Sequence, residues 1–95
     1  MDENVNNTKA KVIDQMKDSK GLMREAEVAK KNQKVKNDID RLLQRLVTGD
    51  QNPGIGTRRL QGVDYVLEAR AKSGARVYYR KKGDDIVLLA ISNKV

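Results

Sequence analysis

The sequence predicts an α+β domain in which helices come first and a small antiparallel β-meander follows, with the helices packed on one face of the sheet. Up to residue 48, apolar residues recur at three- and four-residue steps, as along one face of a helix. From residue 53 onwards, apolar and polar residues alternate, and glycine-containing turns separate the runs. Helices followed by strands are typical of the α+β class. A chain of 95 residues has room for one such domain, with a helical part at residues 1–50 and a sheet part at residues 51–95.

The helical part contains two candidate segments. Residues 9–31 carry apolar side chains at helical spacing, and Gly21 interrupts them, so this segment is either one helix or two short helices. Residues 33–48 form the clearest apolar stripe. Gly49 is suited to end that helix, because glycine tolerates the positive φ of a C-terminal cap.

The sheet part contains three predicted strands, at residues 63–70, 75–81 and 85–92, with short turns between them. The third strand is an unbroken apolar run, which indicates burial on both faces and a central place in the sheet. Residues 53–62 are expected to be a loop, because they contain one proline and three glycines.

Successive side chains of a strand point to opposite faces, so the predicted strands divide their residues into two sets. We expect the helices to cover the face that carries Leu67, Val77, Tyr79, Leu89 and Ile91. The opposite face, here called the arginine face, then displays one carboxylate among cationic and hydroxyl-bearing side chains: Glu68, Arg70, Arg76, Tyr78, Arg80, Ser92 and Lys94. A slip of one residue in any strand would reverse this assignment for that strand.

The charge of the chain favours a polyanionic partner. The net charge is +7, and the excess lies in the sheet part, where 9 Lys and Arg stand against 4 Asp and Glu, a balance of +5. Nucleic acid is the commonest polyanion that such a surface binds. The chain has neither Cys nor His, which excludes disulfides and thiolate metal sites and removes the commonest general base. We therefore expect neither a metal nor a cofactor, and no apolar run is long enough to span a membrane.

The arginine face is suited to RNA. Its cations can bind phosphates, and Tyr78 can stack on an unpaired base. Fixed guanidinium groups can also stabilise the charge that builds on a phosphoryl oxygen when a ribose 2′-OH attacks the phosphorus. The competing interpretation is structural. Glu68 opposite Arg76 or Arg80 would be an ordinary cross-strand ion pair, and at least one of the adjacent Tyr78 and Tyr79 must face the helices.

The loop before the first strand has two interpretations of equal weight. Thr57, Arg58 and Arg59 follow two glycines, and as a flexible arm they could hold a phosphate beside the sheet. Alternatively, the glycines only allow a tight connection between helix and strand.

From about Leu42 to Lys94 the sequence resembles the RelE branch of the barnase–colicin–RelE group of bacterial ribonuclease toxins. The resemblance lies in an apolar helix ending in LLQRL, then Leu60-Gln61-Gly62, the strand YVLEAR, the run GARVYY and the final run DDIVLLAISNK. It implies a RelE-like fold, and it matches Arg76 to the family's phosphate-stabilising arginine and Glu68 to a position used for acid–base chemistry. Lys94 lies near the family's basic residue after the last strand. The strand that usually precedes the helices in this family, and the downstream helix or tyrosine of many members, are expected to be missing here.

The favoured hypothesis is a metal-independent RNA endonuclease toxin that cleaves tRNA or ribosome-bound mRNA and inhibits growth. Glu68 is the predicted general base, Arg70 and Arg76 the phosphate clamps, and Arg80, Tyr78, Ser92 and Lys94 are predicted to support the substrate, with Thr57, Arg58 and Arg59 holding its backbone. The alternatives are a non-enzymatic toxin on the related ParE scaffold that acts on gyrase, and a basic nucleic-acid-binding module. Both toxin hypotheses imply an acidic antitoxin or immunity protein, and action in the bacterial cytoplasm, either as a stand-alone toxin or as the C-terminal part of a secreted one.

Overall fold

The computed structural model describes residues 11–49, 57–59 and 66–93, and for residues 57–59 it describes the backbone alone. These residues form two α-helices, one 3₁₀ turn and five strands: β1 Val12–Asp14, the 3₁₀ turn Met16–Asp18, α1 Lys20–Lys30, α2 Gln33–Val47, β2 Thr57–Arg59, β3 Leu67–Arg70, β4 Ala75–Lys82 and β5 Asp85–Asn93. The α+β class and the packing of helices on one face of the sheet are therefore confirmed.

The sheet has the order β1-β5-β4-β3-β2. The β3–β4–β5 meander is antiparallel, as predicted, and β2 extends it with the same antiparallel pairing. The expectation of a wholly antiparallel sheet was wrong, because β1 pairs with β5 in parallel. The central place of β5 is confirmed, since it lies between β1 and β4 and its Ile86, Val87 and Leu88 are all buried.

Strand β1 corrects the expectation that residues 9–31 are helical throughout. Val12 and Ile13 are β-branched, which favours extended backbone, and they pair with Ile86 and Val87 of β5. Two backbone hydrogen bonds flank the pairing, from Ile86 N to Lys11 O at 2.8 Å and from Gln15 N to Leu88 O at 3.0 Å. Three residues are too few for an alternating pattern, so the helical spacing of the neighbouring apolar residues masked this strand. The expectation that no strand precedes the helices was therefore also wrong.

Side-chain caps fix where both helices begin. Ser19 Oγ accepts a hydrogen bond from Leu22 N at 3.3 Å, so α1 begins at Lys20, beside the predicted joint at Gly21. Asn32 Oδ1 accepts from Lys34 N and Val35 N, at 3.0 and 3.3 Å, and opens α2. Helix α2 ends at Val47, and Gly49 has a φ of +91°, which confirms its predicted role at the end of that helix.

The hydrophobic core lies between the helices and one face of the sheet. The predicted stripe of α2 supplies Val35, Ile39, Leu42 and Leu46, all buried. Across from it lie the buried sheet residues Ala69, Ala75, Val77, Tyr79, Ile86, Leu88 and Ile91, with Leu67 packed against the cluster from its edge. Helix α1 adds Ala26 and Ala29. This packing leaves the arginine face on the other side of β3 and β4.

A β-bulge in β5 corrects one part of the predicted face assignment. Tyr78 of β4 pairs with Ala90, and the next residue, Tyr79, pairs with Leu88, so Leu89 is an extra residue in the ladder. Leu88 therefore takes the core position that unbroken alternation assigns to Leu89, which is only half-buried. Beyond the bulge, Val87 pairs with Arg80 and shares the arginine face. The assignments of Leu67, Val77, Tyr79 and Ile91 to the helix side are confirmed.

Strand β2 corrects the expectation that Thr57, Arg58 and Arg59 belong to a loop. Their backbone pairs with Ala69, Glu68 and Leu67 of β3 and extends the sheet by one edge strand. The glycine-rich run before it and the first part of the predicted 63–70 strand lie outside the described residues. In the described part of the chain, no helix is long and apolar enough to cross a membrane.

Candidate functional site

Strand register brings the predicted site residues of β3, β4 and β5 onto the arginine face. Glu68 pairs with Tyr78, Arg70 pairs with Arg76, and Arg76 also pairs with Ser92. Directly paired residues point to the same side of a sheet, and alternation along β4 adds Arg80 to them. The bulge lies after Tyr78 in the β4–β5 ladder. The pairs from Arg76 to Tyr78 therefore keep the predicted register. Lys94 lies outside the described residues.

Glu68 is the centre of this face. Its carboxylate accepts a hydrogen bond from Arg76 Nη1 at 3.0 Å through Oε2, and Arg70 Nε lies 3.9 Å from Oε1. Arg76 reaches it diagonally, because the residue directly opposite Glu68 is Tyr78. The Glu68 side chain is only 1% exposed. A carboxylate so buried has to be paired and hydrogen-bonded to offset its desolvation.

The two guanidinium groups connect this buried carboxylate to solvent. The side chains of Arg70 and Arg76 are 35% and 25% exposed, so each has one part against Glu68 and another part at the surface. One carboxylate between two guanidinium groups leaves a formal charge of +1. Because Glu68 holds the two guanidinium groups side by side, an anion at the surface would meet donors that are already oriented.

Four buried side-chain atoms have no hydrogen-bond partner in the described part of the chain: Arg70 Nε, Ser73 Oγ, Ser92 Oγ and Asn93 Oδ1. Two of them lie on the arginine face: Arg70 Nε, whose 3.9 Å approach to Glu68 is an ion pair but too long for a hydrogen bond, and Ser92 Oγ. Buried polar atoms normally have partners, so each exception calls for an explanation, and one explanation is a water or ligand that completes the bonding. Arg70 and Ser92 are the strand neighbours of Arg76 on either side, so the hydrogen-bonding capacity left open on this face is concentrated around Arg76.

The two tyrosines of β4 divide as expected. Tyr79 is 1% exposed and belongs to the core, whereas Tyr78 is half-buried on the arginine face, opposite Glu68. Arg80 is exposed two residues further along β4. Tyr78 therefore offers an aromatic surface next to the guanidinium groups, as stacking on a base would need.

The register of β2 separates the three residues predicted to act as one arm. Arg58 stands opposite Glu68, whereas Thr57 and Arg59 stand opposite Ala69 and Leu67 of the helix side. The backbone therefore places Arg58 at an arginine-face position, and it does not bring all three residues to that face.

The burial of Glu68 was missed by the sequence analysis, which treated it as an accessible carboxylate. Alternation in a strand assigns a face but does not say how deeply a side chain is buried, and the arginines that contact Glu68 are 2 and 8 residues away in sequence. Among the described residues, no three acidic side chains come close enough together to hold a metal ion.

Comparison with known proteins gave no match: no family model, no curated protein and no solved structure is significantly similar to this chain.

Proposed function

We propose that this chain is a metal-independent RNA endonuclease of the bacterial toxin type, with the arginine face as its active surface. The observation that carries the proposal is the buried Glu68 carboxylate flanked by the partly exposed Arg70 and Arg76 guanidinium groups. A pair of guanidinium groups binds phosphate well, because their donors match its oxygens.

The reaction that suits this arrangement uses the substrate's own nucleophile. The ribose 2′-oxygen attacks the adjacent phosphorus as it loses its proton, and the 5′-oxygen of the next nucleotide leaves and gains a proton. The products are a 2′,3′-cyclic phosphate and a 5′-hydroxyl. Arg76 and Arg70 neutralise the charge that grows on the phosphoryl oxygens, and Tyr78 stacks on a base beside the cut.

The sequence analysis named Glu68 as the general base, and that remains a prediction. Its burial and its contacts with two arginines support a second role, in which Glu68 is a positioning residue that fixes the angle of Arg76. A group that is 1% exposed reaches a 2′-hydroxyl only if the side chains around it move aside. The two roles predict different pH dependence of the cleavage rate for a Glu68→Gln variant.

The toxin assignment rests on the resemblance of residues 42–94 to the RelE family and on the arginine face. The fold supports it in one further respect, since β1 supplies a strand before the helices, the element that this family usually has. The proposal includes a protective acidic antitoxin or immunity protein over the arginine face, and tRNA or ribosome-bound mRNA in the bacterial cytoplasm as the target.

Incubation of the purified protein with total RNA in excess EDTA tests the proposal. We expect cleavage that persists in the chelator and yields fragments ending in 2′,3′-cyclic phosphate, which end-mapping by ligation detects. Intact RNA that is retarded in a gel would overturn the nuclease proposal in favour of a binding module. Intact, unretarded RNA together with inhibited gyrase supercoiling would overturn it in favour of the ParE-like alternative.

A further inference from the structure

A second basic surface lies outside the arginine face, in a groove between helix α2 and the β3–β4 turn. The groove has a volume of about 390 Å³ and is lined by Lys34, Asn37, Asp38, Arg41, Lys72 and Ser73. Three of these side chains are cations and one is a carboxylate, so the groove carries a formal charge of +2. Neither the charge pattern nor the apolar stripe of α2 indicated it, because its walls are far apart in sequence.

The geometry of α2 explains why its cations gather here. Lys34, Asp38 and Arg41 are spaced by four and three residues, so they share one side of the helix. That side flanks the buried stripe of Val35, Ile39 and Leu42 and lines the groove at the β3–β4 turn.

The one carboxylate in the groove neutralises little of this charge. Asp38 Oδ1 lies 3.7 Å from Arg41 Nη1, and the Arg41 side chain is 62% exposed. An exposed pair at that distance is weak, and its guanidinium group keeps donors for another anion. Lys34 and Lys72 are exposed as well, so three cations face the same solvent-filled space.

The groove is lined in part by the β3–β4 turn, and the arginine face ends at the same turn. Arg70 and Arg76 are the last pair of the β3–β4 hairpin before its turn, and Lys72 is two residues beyond Arg70. The turn is held by hydrogen bonds from Gly74 N to Ala71 O and from Ala71 N to Ala75 O, both 3.0 Å. Consecutive Cα atoms are about 3.8 Å apart, so the Cα atoms of Arg70 and Lys72 are separated by at most about 7.6 Å.

We propose that this groove is a second phosphate-binding subsite, which holds the backbone of the RNA on one side of the cut after the strand has passed over the tip of the β3–β4 hairpin. The proposal rests on the proposed function for its ligand. It assigns to Lys34, Arg41 and Lys72 a role in holding long RNA and none in the chemical step.

Binding of RNA with 2′-O-methyl riboses tests the subsite, because such RNA lacks the attacking hydroxyl and stays intact. The short probe has about 4 nucleotides and is meant to span the arginine face alone. The long probe has about 12 nucleotides and is meant to span both the arginine face and the groove. The variant is K34A/R41A/K72A. Its matched control is K17A/K20A/R24A, which removes the same charge from exposed positions of the 3₁₀ turn and α1. Circular dichroism melts show whether both variants fold.

We expect the groove variant to bind the long probe about tenfold more weakly than the control variant, with a log–log salt dependence that is shallower by about 2, and to bind the short probe as the control does. Equal binding of the long probe by the two variants would overturn the subsite. An equal loss for both probe lengths would overturn it too, because the groove would then act as part of the arginine face or through general charge.

A third variant separates this test from the test of the proposed function. Arg76→Lys should weaken binding of both probes. If Arg76→Lys binds both probes as the wild type does while the groove variant binds the long probe more weakly, the arginine face is not an RNA site. The groove would still be supported as one.

Discussion

Arg76 Nη1 donates a 3.0 Å hydrogen bond to Oε2 of Glu68 across the β3–β4 hairpin, from a diagonal position two residues short of the residue directly opposite. A diagonal contact of this kind needs a long side chain, and arginine has the reach for it. The bond couples the stability of the sheet to the proposed active surface, because the same guanidinium group pairs a buried carboxylate and faces solvent.

The first prediction concerns the stability of Arg76 variants. Arg76→Ala leaves a buried carboxylate short of a partner, and we expect it to lower the free energy of unfolding by about 3 kcal/mol. Arg76→Lys keeps a cation near Glu68 and should cost about 1 kcal/mol, roughly one hydrogen bond. Thermal unfolding measures both, at about 4–8 °C per kcal/mol for a domain of this size. Equal melting temperatures for wild type and Arg76→Ala would show that the ion pair contributes nothing.

The expected loss of stability decides which variant suits activity assays. In Arg76→Ala, a loss of activity would not separate a catalytic role from partial unfolding, because Glu68 is 1% exposed. Arg76→Lys is the better probe, since an ammonium group lacks the planar fork of donors but retains the charge.

The second prediction separates the two roles of Glu68. Glu68→Gln keeps a carbonyl oxygen that can accept from Arg76 but removes the charge. If Glu68 positions Arg76, the cleavage rate falls by about 10- to 100-fold and the acidic limb of the pH–rate profile keeps its shape. If Glu68 is the general base, that limb disappears together with the activity. Glu25→Gln, an exposed α1 carboxylate, is the matched control and should behave as wild type.

The third prediction tests the β-bulge. Leu88→Ala opens a cavity in the core and should cost about 2–5 kcal/mol, whereas Leu89→Ala trims a half-buried side chain and should cost about 1 kcal/mol. Urea unfolding of the two variants gives the comparison. A regular ladder through Tyr78 and Tyr79 would reverse the order, because Leu89 would then point into the core.

The fourth prediction concerns the start of α2. Asn32→Ala removes the acceptor of the hydrogen bonds from Lys34 N and Val35 N and should cost about 1 kcal/mol. Gln44→Ala, at an exposed position within the same helix, should change stability by less than about 0.5 kcal/mol. Chemical denaturation of both variants checks the difference, and an unchanged midpoint for Asn32→Ala would contradict the cap.

The sequence predicted the elements whose signal is local. The stripe of α2, its end near Gly49 and the meander of β3, β4 and β5 each follow from a pattern within one segment, and all were found. β1 was missed because its three residues are defined by pairing with β5, some 74 residues away, rather than by their own pattern. The extra residue Leu89 was missed for a similar reason. Leu88 and Leu89 are both suited to the core position opposite Tyr79, and only the packing of the folded chain selects Leu88.

For the candidate site, the sequence predicted which side of the sheet each residue faces but not how deeply each side chain is buried. Alternation placed Glu68, Arg76 and Tyr78 together, because β3 and β4 are regular there. The burial of Glu68, which is 1% exposed, depends on tertiary packing around the sheet, which no spacing rule contains. The basic groove depends on the approach of α2 to the hairpin turn, which brings Lys34 and Lys72 to the same groove.

The cleavage rate of Arg76→Lys on a defined single-stranded RNA in EDTA tests the central claim most directly, with Arg24→Lys, an exposed α1 arginine, as control. If Arg76 stabilises the charge that develops on the phosphoryl group, the rate falls by about 100-fold or more, while the melting temperature falls by only about 4–8 °C and the variant stays folded at the assay temperature. The control should cleave as fast as the unaltered protein. A folded Arg76→Lys variant that cleaves RNA at the wild-type rate would contradict the assignment of the arginine face as the active surface.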